Sequence, residues 1–283
     1  MIGWRTAGVV ALLLVLTIGA LVLYRAREQD AALNARLQSV QRLAGQQEVA
    51  CSELRARRPL VLLAIGQSNA GNHGTAAPTA LAPVPLIVDD RCVLADDPLP
   101  GATGSGASIW RRLPDAVARQ GVVRPVVLGV LAVDATAIDD WTRERSPLRL
   151  GLQARLAAMR RVGLAPSLVL WQQGEADAAA GNGTQAYAEG LAALAATLTE
   201  AGSDAPILLA RSTACRSSAN EAIRAAIEAA PIDNPRMRLG PDTDLLQGSR
   251  MRSDGCHFSA DGLDAAAKMW AERIKAQLPS PAP

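Results

Sequence analysis

Leu60-Val61-Leu62-Leu63-Ala64-Ile65-Gly66-Gln67-Ser68-Asn69-Ala70-Gly71 is the segment that decides how this chain folds. Six consecutive aliphatic residues leave no polar face, so the strand they predict is buried on both sides. Glycine then bounds a short polar turn. The same grammar recurs downstream: Val126–Leu131, Ser167–Trp171 and Ile207–Ala210 read as buried strands, and Met237–Leu239 as a shorter fifth. Between them, Ile109–Arg119, Leu148–Val162, Thr184–Glu200, Ala219–Ala229 and Ala260–Gln277 carry helical patterns. Continuous apolar strands alternating with helices predict an α/β fold with a central parallel sheet covered on both faces. In such sheets ligands bind beyond the carboxyl ends of the strands, so the residues just after each strand matter most.

Ser68 stands in that position after the first such strand. A serine on a tight turn between strand and helix is held exposed, and the turn presents both Oγ and neighbouring backbone amides, as a nucleophile with an oxyanion hole requires. The same residues could instead form a capping turn, with Ser68 or Asn69 at the helix N-cap. A serine nucleophile needs a base, and the chain has 2 histidines. His73 lies close to Ser68 in sequence and reads as a loop residue near the rim of a site. His257 falls in Ser253-Asp254-Gly255-Cys256-His257-Phe258-Ser259, just before the last helix. Asp254 on the same loop could orient one imidazole nitrogen while the other faces outward. The alternative is a plain Asp/His turn, with Ser259 or Asp261 capping the helix that follows.

Gly66-Gln67-Ser68-Asn69-Ala70-Gly71 and Asp254-Gly255-Cys256-His257-Phe258-Ser259-Ala260-Asp261-Gly262 together resemble the first and last blocks of the SGNH hydrolases. More narrowly they resemble the sialate O-acetylesterase-like carbohydrate esterases, whose first block reads GQSN. Trp171-Gln172-Gln173-Gly174-Glu175-Ala176-Asp177 and Gly104-Ser105-Gly106-Ala107-Ser108-Ile109-Trp110 are similar to two further blocks of that group. The resemblance implies a three-layer α/β/α sandwich of the SGNH, flavodoxin-like kind. It implies a serine esterase that removes O-acetyl groups from a carbohydrate, with no cofactor and no metal. Ser68 would be the nucleophile, His257 the general base and then acid, and Asp254 its orienting carboxylate. The oxyanion hole would combine the N–H of Ser68, the N–H of Gly106 (Gly104 being the alternative) and the side-chain amide of Gln173. Gln67, Asn69, Asp134 and Glu175 would lie at the substrate, with Glu175 bracing the loop rather than reacting. Asp134 departs from the family, which carries a small Gly-Gly-Thr-Ser-like stretch there. The same triad could pass its acyl group to a sugar hydroxyl, making an O-acetyltransferase. A non-catalytic sugar-binding scaffold would have no need of all three triad residues.

The remaining sequence sets the surroundings. Hydrophobic residues make up 49% and charged residues 20%, which excludes general disorder. A net charge of +2 without a basic, aromatic-interleaved stripe argues against a nucleic-acid partner. Thr6–Tyr24 is apolar and uncharged, flanked by Arg5, Arg25 and Arg27. Its length and lack of a polar face predict a transmembrane signal anchor over residues 1–27, rather than a core helix or a cleaved signal peptide. Residues 28–58 are polar, with Leu33, Leu37, Val40 and Ala44 at helical spacing, and read as a helical stalk that holds the domain away from the membrane or packs along it. Residues 59–278 form the hydrolase domain, and the Pro-Ser-Pro-Ala-Pro tail a frayed end. Arginines flank both ends of the apolar run, so charge does not orient it. Cys51, Cys92, Cys215 and Cys256 suit two disulfides in an oxidising compartment or four unrelated buried thiols. The resemblance, which puts Cys256 in the catalytic loop, implies Cys215–Cys256 and Cys51–Cys92 bridges. Cysteines and family together predict an extracytoplasmic catalytic domain.

Overall fold

The computed structural model describes residues 3–40, 45–75 and 81–279, without the side chains of 3–12, 15, 22 and 23. Ala44 and residues 280–283 of the expected frayed tail therefore lie outside the described residues. In chain order the elements are α1 (Gly3–Val40), β1 (Gln47–Val49), α2 (Cys51–Ala56), β2 (Leu60–Gly66), β3 (Val84–Val88), β4 (Arg91–Ala95) and α3 (Ile109–Arg119). They continue with β5 (Val126–Ala132), α4 (Ile138–Thr142), α5 (Pro147–Arg161), β6 (Leu168–Gln172), α6 (Glu175–Ala180) and α7 (Thr184–Glu200). The chain closes with β7 (Ile207–Arg211), α8 (Glu221–Asp233), β8 (Met237–Asp242) and α9 (Ala260–Lys275).

One 8-stranded sheet runs in the order β1-β4-β3-β5-β2-β6-β7-β8. Strand β2 sits at its middle, paired in parallel with β5 on one side and β6 on the other. Its alternating residues explain its uninterrupted apolarity. Leu60, Leu62 and Ala64 pack in a core with Trp110 and Leu113 of α3 and Trp270 of α9. Val61, Leu63 and Ile65 pack on the opposite face with Leu152 and Met159 of α5, Leu191 of α7 and Ile227 of α8. A strand with helices on both faces needs hydrophobic residues at every position.

The expected central parallel sheet is present, extended at one edge by antiparallel strands. Strand β4 runs antiparallel to β3, and β1 antiparallel to β4. The two strands β3 and β4 form a hairpin whose Asp89 takes the left-handed conformation, φ +52°. Asp tolerates that conformation better than most residues. Pro85 inside Val84–Val88 masks the strand signal, because proline is uncommon within a hydrogen-bonded ladder.

The second half of α1 lies along the domain. Leu33 and Val40 are buried, and Asp30 and Gln29 bond Arg143 (2.6 Å) and Asp140 (2.6 Å). Residues 28–58 also contribute β1 and α2 to the domain, with β1 extending the sheet edge. Among the described residues no helix is long and apolar enough to cross a membrane, so the expected membrane span finds no support in the structure.

Candidate active site

At the end of β2 the backbone must turn away while passing close to β6. Gly66 does this with φ +147°, a conformation that L side chains rarely adopt, and a Cβ there would lie 2.0 Å from the carbonyl oxygen of Gln172. Ser68–Ala70 then form a single 3-10 turn closed by Ala70 N–H to Gln67 O and Gly71 N–H to Ser68 O, both 2.8 Å. No side-chain cap is made at this turn, so the capping alternative for Ser68 and Asn69 is not realised. Ser68 is 6% exposed, and what is exposed opens on a cleft of about 290 Å³.

His257 lines the same cleft, carried by the loop between β8 and α9. Asp254 holds it at three points. Its Oδ1 accepts the backbone N–H of Cys256 (2.9 Å) and of His257 (2.7 Å), and its Oδ2 lies 2.9 Å from His257 Nδ1. Burial opposes the charge on Asp254. The two amides and the imidazole outweigh it, keeping the carboxyl well below the usual carboxylate range. The ring is thereby oriented through Nδ1, leaving Nε2 for other work. Ser259 also caps α9, its Oγ accepting from Gly262 N–H at 3.1 Å, so the Asp/His turn and the helix cap coexist.

Two further contacts pin this loop, and both come from the segment that follows β7. Cys215 and Cys256 form one disulfide, Cys51 and Cys92 the other, as the resemblance implied. Arg216, beside Cys215, places Nη2 3.2 Å from Asp254 Oδ2. The bridges close loops of equal sequence separation, 41 residues each. Chain entropy then predicts a similar loss for removing either, roughly 3–4 kcal/mol. Only the Cys215→Ser/Cys256→Ser variant is expected to lower turnover as well, by about tenfold, because it alone frees the His257 loop. Denaturant unfolding and steady-state rates of the two double variants, measured side by side, check this. Equal rates would show that the disulfide does not position the loop.

Behind the cleft lies a buried hydrogen-bond hub. Glu175, at the start of α6, accepts Asn69 Nδ2 and Ser212 Oγ on Oε1, each at 2.7 Å. Asn69 Nδ2 also reaches the Cys256 carbonyl (3.2 Å), to which Arg252 Nη1 donates as well. The turn carrying Ser68 is thus tied directly to the loop carrying His257. Burial pushes the Glu175 carboxyl up, and bonds from Asn69 and Ser212 oppose that. Glu175, at the edge of the cleft, thus links Asn69 of the Ser68 turn to Ser212.

Two expected oxyanion donors are otherwise engaged. The Gly106 N–H is bonded to Asn72 O at 2.7 Å. The fully buried Gln173 amide gives its N–H groups to Asp177 Oδ2 (2.5 Å) and Thr136 O (2.9 Å), while Oε1 accepts from Tyr187 (2.8 Å). Gln173 thus ties together α6, α7 and the turn before α4. The amide that lines the cleft is Gln67. Its Oε1 accepts from Ala176 N–H (3.1 Å) and Gln173 Nε2 (3.2 Å), which leaves Nε2 without a partner among the described residues. Asp134 lines the cleft as well, its carbonyl bonded by Arg36 at 2.6 Å. Ala135, Ala176 and Ala179 supply small apolar surface. Sequence reasoning missed Arg216, which no motif marks, and left His73 at the rim. Among the described residues no group of three or more His, Cys, Asp or Glu side chains is placed to hold a metal ion.

The model of the carbohydrate esterases described as sialic acid-specific acetylesterases matches residues 59–276. The chain belongs to this family. It is accordingly a hydrolase acting on ester bonds, with the SGNH type of fold. A protein from Arabidopsis thaliana of known structure superposes with TM-score 0.61 at 19% identity, covering 77% of this chain and 99% of its own. A carbohydrate esterase family 3 protein from Talaromyces cellulolyticus gives 0.50 at 12% identity, covering 77% and 97%. Both likenesses concern the fold. No curated protein matches the chain.

Proposed function

We propose that this esterase removes O-acetyl groups from a carbohydrate through an acyl-Ser68 intermediate. The observation that carries the reading is the convergence of Ser68 and an Asp254-oriented His257 in one cleft. His257 Nε2 takes the Ser68 proton as Oγ attacks the acetyl carbonyl. The resulting imidazolium, held by Asp254, returns the proton to the departing sugar oxygen. Water, activated by the same imidazole, then releases acetate. The Ser68 N–H and the Gln67 amide are the donors this cleft offers to the tetrahedral oxyanion, each of a kind whose loss costs about 3 kcal/mol of transition-state stabilisation. The small alanine surface suits an acetyl group better than a long acyl chain.

The full chain, assayed on an activated acetyl ester and on acetylated sugars with and without acceptor sugars, tests this. Release of acetate independent of acceptor is expected. Acceptor-dependent sugar acetate would make it a transferase, preference for long acyl chains would undo the acetate assignment, and no Ser68-dependent turnover would leave a scaffold.

We also place the domain on the outer side of a membrane, anchored by residues 6–24. The support is the uncharged apolar run itself, in a helix that continues into the docked half of α1, with Leu13, Leu16 and Ile18 more than half exposed. The two disulfides favour an oxidising compartment. Recovery of the chain in the alkaline-washed membrane fraction, with protease reaching the domain from outside, is the expected result. A freely soluble chain would end the proposal.

A further inference from the structure

The 2 histidines of the chain meet in the cleft. The ring of His73 stacks on that of His257, centroids 5.2 Å apart and planes 24° from parallel. Its other contacts fix which edge faces where. His73 Nε2 lies 3.2 Å from Thr103 Oγ1, and that oxygen already accepts the Asp134 N–H at 2.9 Å. The Thr103 hydroxyl proton has no other acceptor among the described residues, and donating it to His73 Nε2 satisfies both groups. A neutral imidazole that accepts at Nε2 carries its proton on Nδ1. The Cδ2 side of the ring is packed against glycines: a Cβ at Gly104 would come within 2.9 Å of Cδ2, and one at Gly71 within 3.2 Å. The covered edge is thus Cδ2–Nε2, and the Nδ1 edge is turned away from these glycines, with no partner among the described residues. Burial lowers the proton affinity of His73; Asp134 and Asp254 oppose this and His257 reinforces it, with the net shift toward the neutral ring. Arg216 and Glu175 are the remaining charged or titratable groups of the cleft lining.

His73 cannot replace His257 as the base, since its Nε2 is occupied and no carboxylate bonds its Nδ1. We propose instead that His73 is a positioning residue for the catalytic imidazole and a reader of the alcohol part of the ester. Its ring face holds the plane of His257, and its Nδ1–H offers a hydrogen bond to a sugar oxygen beside Ser68. With Asp134, also held by Thr103, it forms a polar wall on the β5 side of the cleft. Ala176 and Ala179 lie on the β6 side. The substrate half of this assignment rests on the esterase reading above.

The test uses the full-length chain with 4-nitrophenyl acetate and glucose pentaacetate as probes. His73→Ala removes both the face and the donor, and kcat is expected to fall about tenfold on both esters. His73→Phe restores a flat face without a donor. It is expected to recover most of that kcat while KM for the sugar ester stays about 3–10-fold above wild type, the range for losing one neutral hydrogen bond. Nitrogen-15 spectra at pH 7.5, assigned by the signal missing from His73→Phe, are expected to show His73 as the neutral Nδ1–H tautomer. Thermal unfolding of each variant separates positioning from loss of fold. Unchanged kcat and KM in both variants, a kcat loss that tracks the unfolded fraction, or an Nε2–H tautomer would each overturn the proposal. Absence of Ser68-dependent turnover in the wild type would count against the esterase reading instead, and the tautomer would still decide the geometry of the pair.

Discussion

Replacing Ser68 with alanine is expected to lower kcat on an activated acetyl ester by roughly a millionfold, the scale seen when a triad serine is removed from a hydrolase. The argument rests on what the substitution leaves behind. Alanine keeps the 3-10 turn, whose hydrogen bonds are all backbone, so the Ser68 N–H and the Gln67 amide remain in place. Substrate would still bind and its carbonyl would still be polarised. What disappears is the atom proposed to form the acyl-enzyme, and with it the proposed purpose of the Asp254–His257 pair. A residual rate about a thousandfold above water is therefore compatible with the mechanism. His257→Ala should cost a similar amount, and the double variant little more than either, because the residues act as a unit. Steady-state kinetics with an active-site titration of acetyl-enzyme by mass provide the measurement. A Ser68→Ala enzyme within a hundredfold of wild type would mean that another group carries the chemistry.

Gly66→Ala should have the largest effect on folding, a loss above about 4 kcal/mol. Two independent penalties coincide there. The φ of +147° lies in a region closed to residues with a Cβ, and the added methyl would sit 2.0 Å from the carbonyl oxygen and 2.7 Å from the carbonyl carbon of Gln172. That carbonyl cannot move aside. Gly66 and Gln172 are register partners in the central β2–β6 pair, and the same oxygen accepts the Gln67 N–H at 3.2 Å. Relief would require separating the two middle strands of the sheet and tilting the turn that carries Ser68. Gly121→Ala is the control. Its φ of +77° is also left-handed, but nothing lies within 4 Å, so only the backbone penalty of roughly 1–2 kcal/mol applies. Urea midpoints of the two variants measure the difference. Comparable losses would show that the close approach to Gln172 is not a constraint.

Much of the architecture was legible because it is local. A run such as Leu60–Ile65 declares burial on both faces, and five strands were readable on that basis. The edge hairpin was not, since Pro85 breaks the strand pattern and β4 makes sense only once β1 is seen to pair with it. Helix α6 escaped for a different reason. It is a single short stretch, Glu175–Ala180, inside a segment read as a functional block. At the site, the proposed triad of Ser68, Asp254 and His257 rests on strand-turn context and the family blocks, and the structure brings Ser68 and His257 to one cleft. The expectation that Gln173 serves the oxyanion came from the same block, and it assumed which way a side chain points.

The sequence by itself determined the order of buried strands and the glycine-bounded turn after the central one, and it supplied the residues we propose as nucleophile, base and orienting carboxylate. These follow from periodicity and residue chemistry, which neighbours along the chain largely decide. Only the tertiary structure decided which donors remain available. Gln67 and Gln173 each directly follow one of two adjacent strands, and their roles depend on who occupies each amide: Asp177, Thr136 and Tyr187 occupy Gln173, while Gln67 keeps Nε2 for the cleft. The same holds for His73, which no spacing connects to His257, and which Thr103, Gly71 and Gly104 together press against it. A hydrogen bond satisfies one group at the expense of another, so its outcome is set only when distant segments have packed.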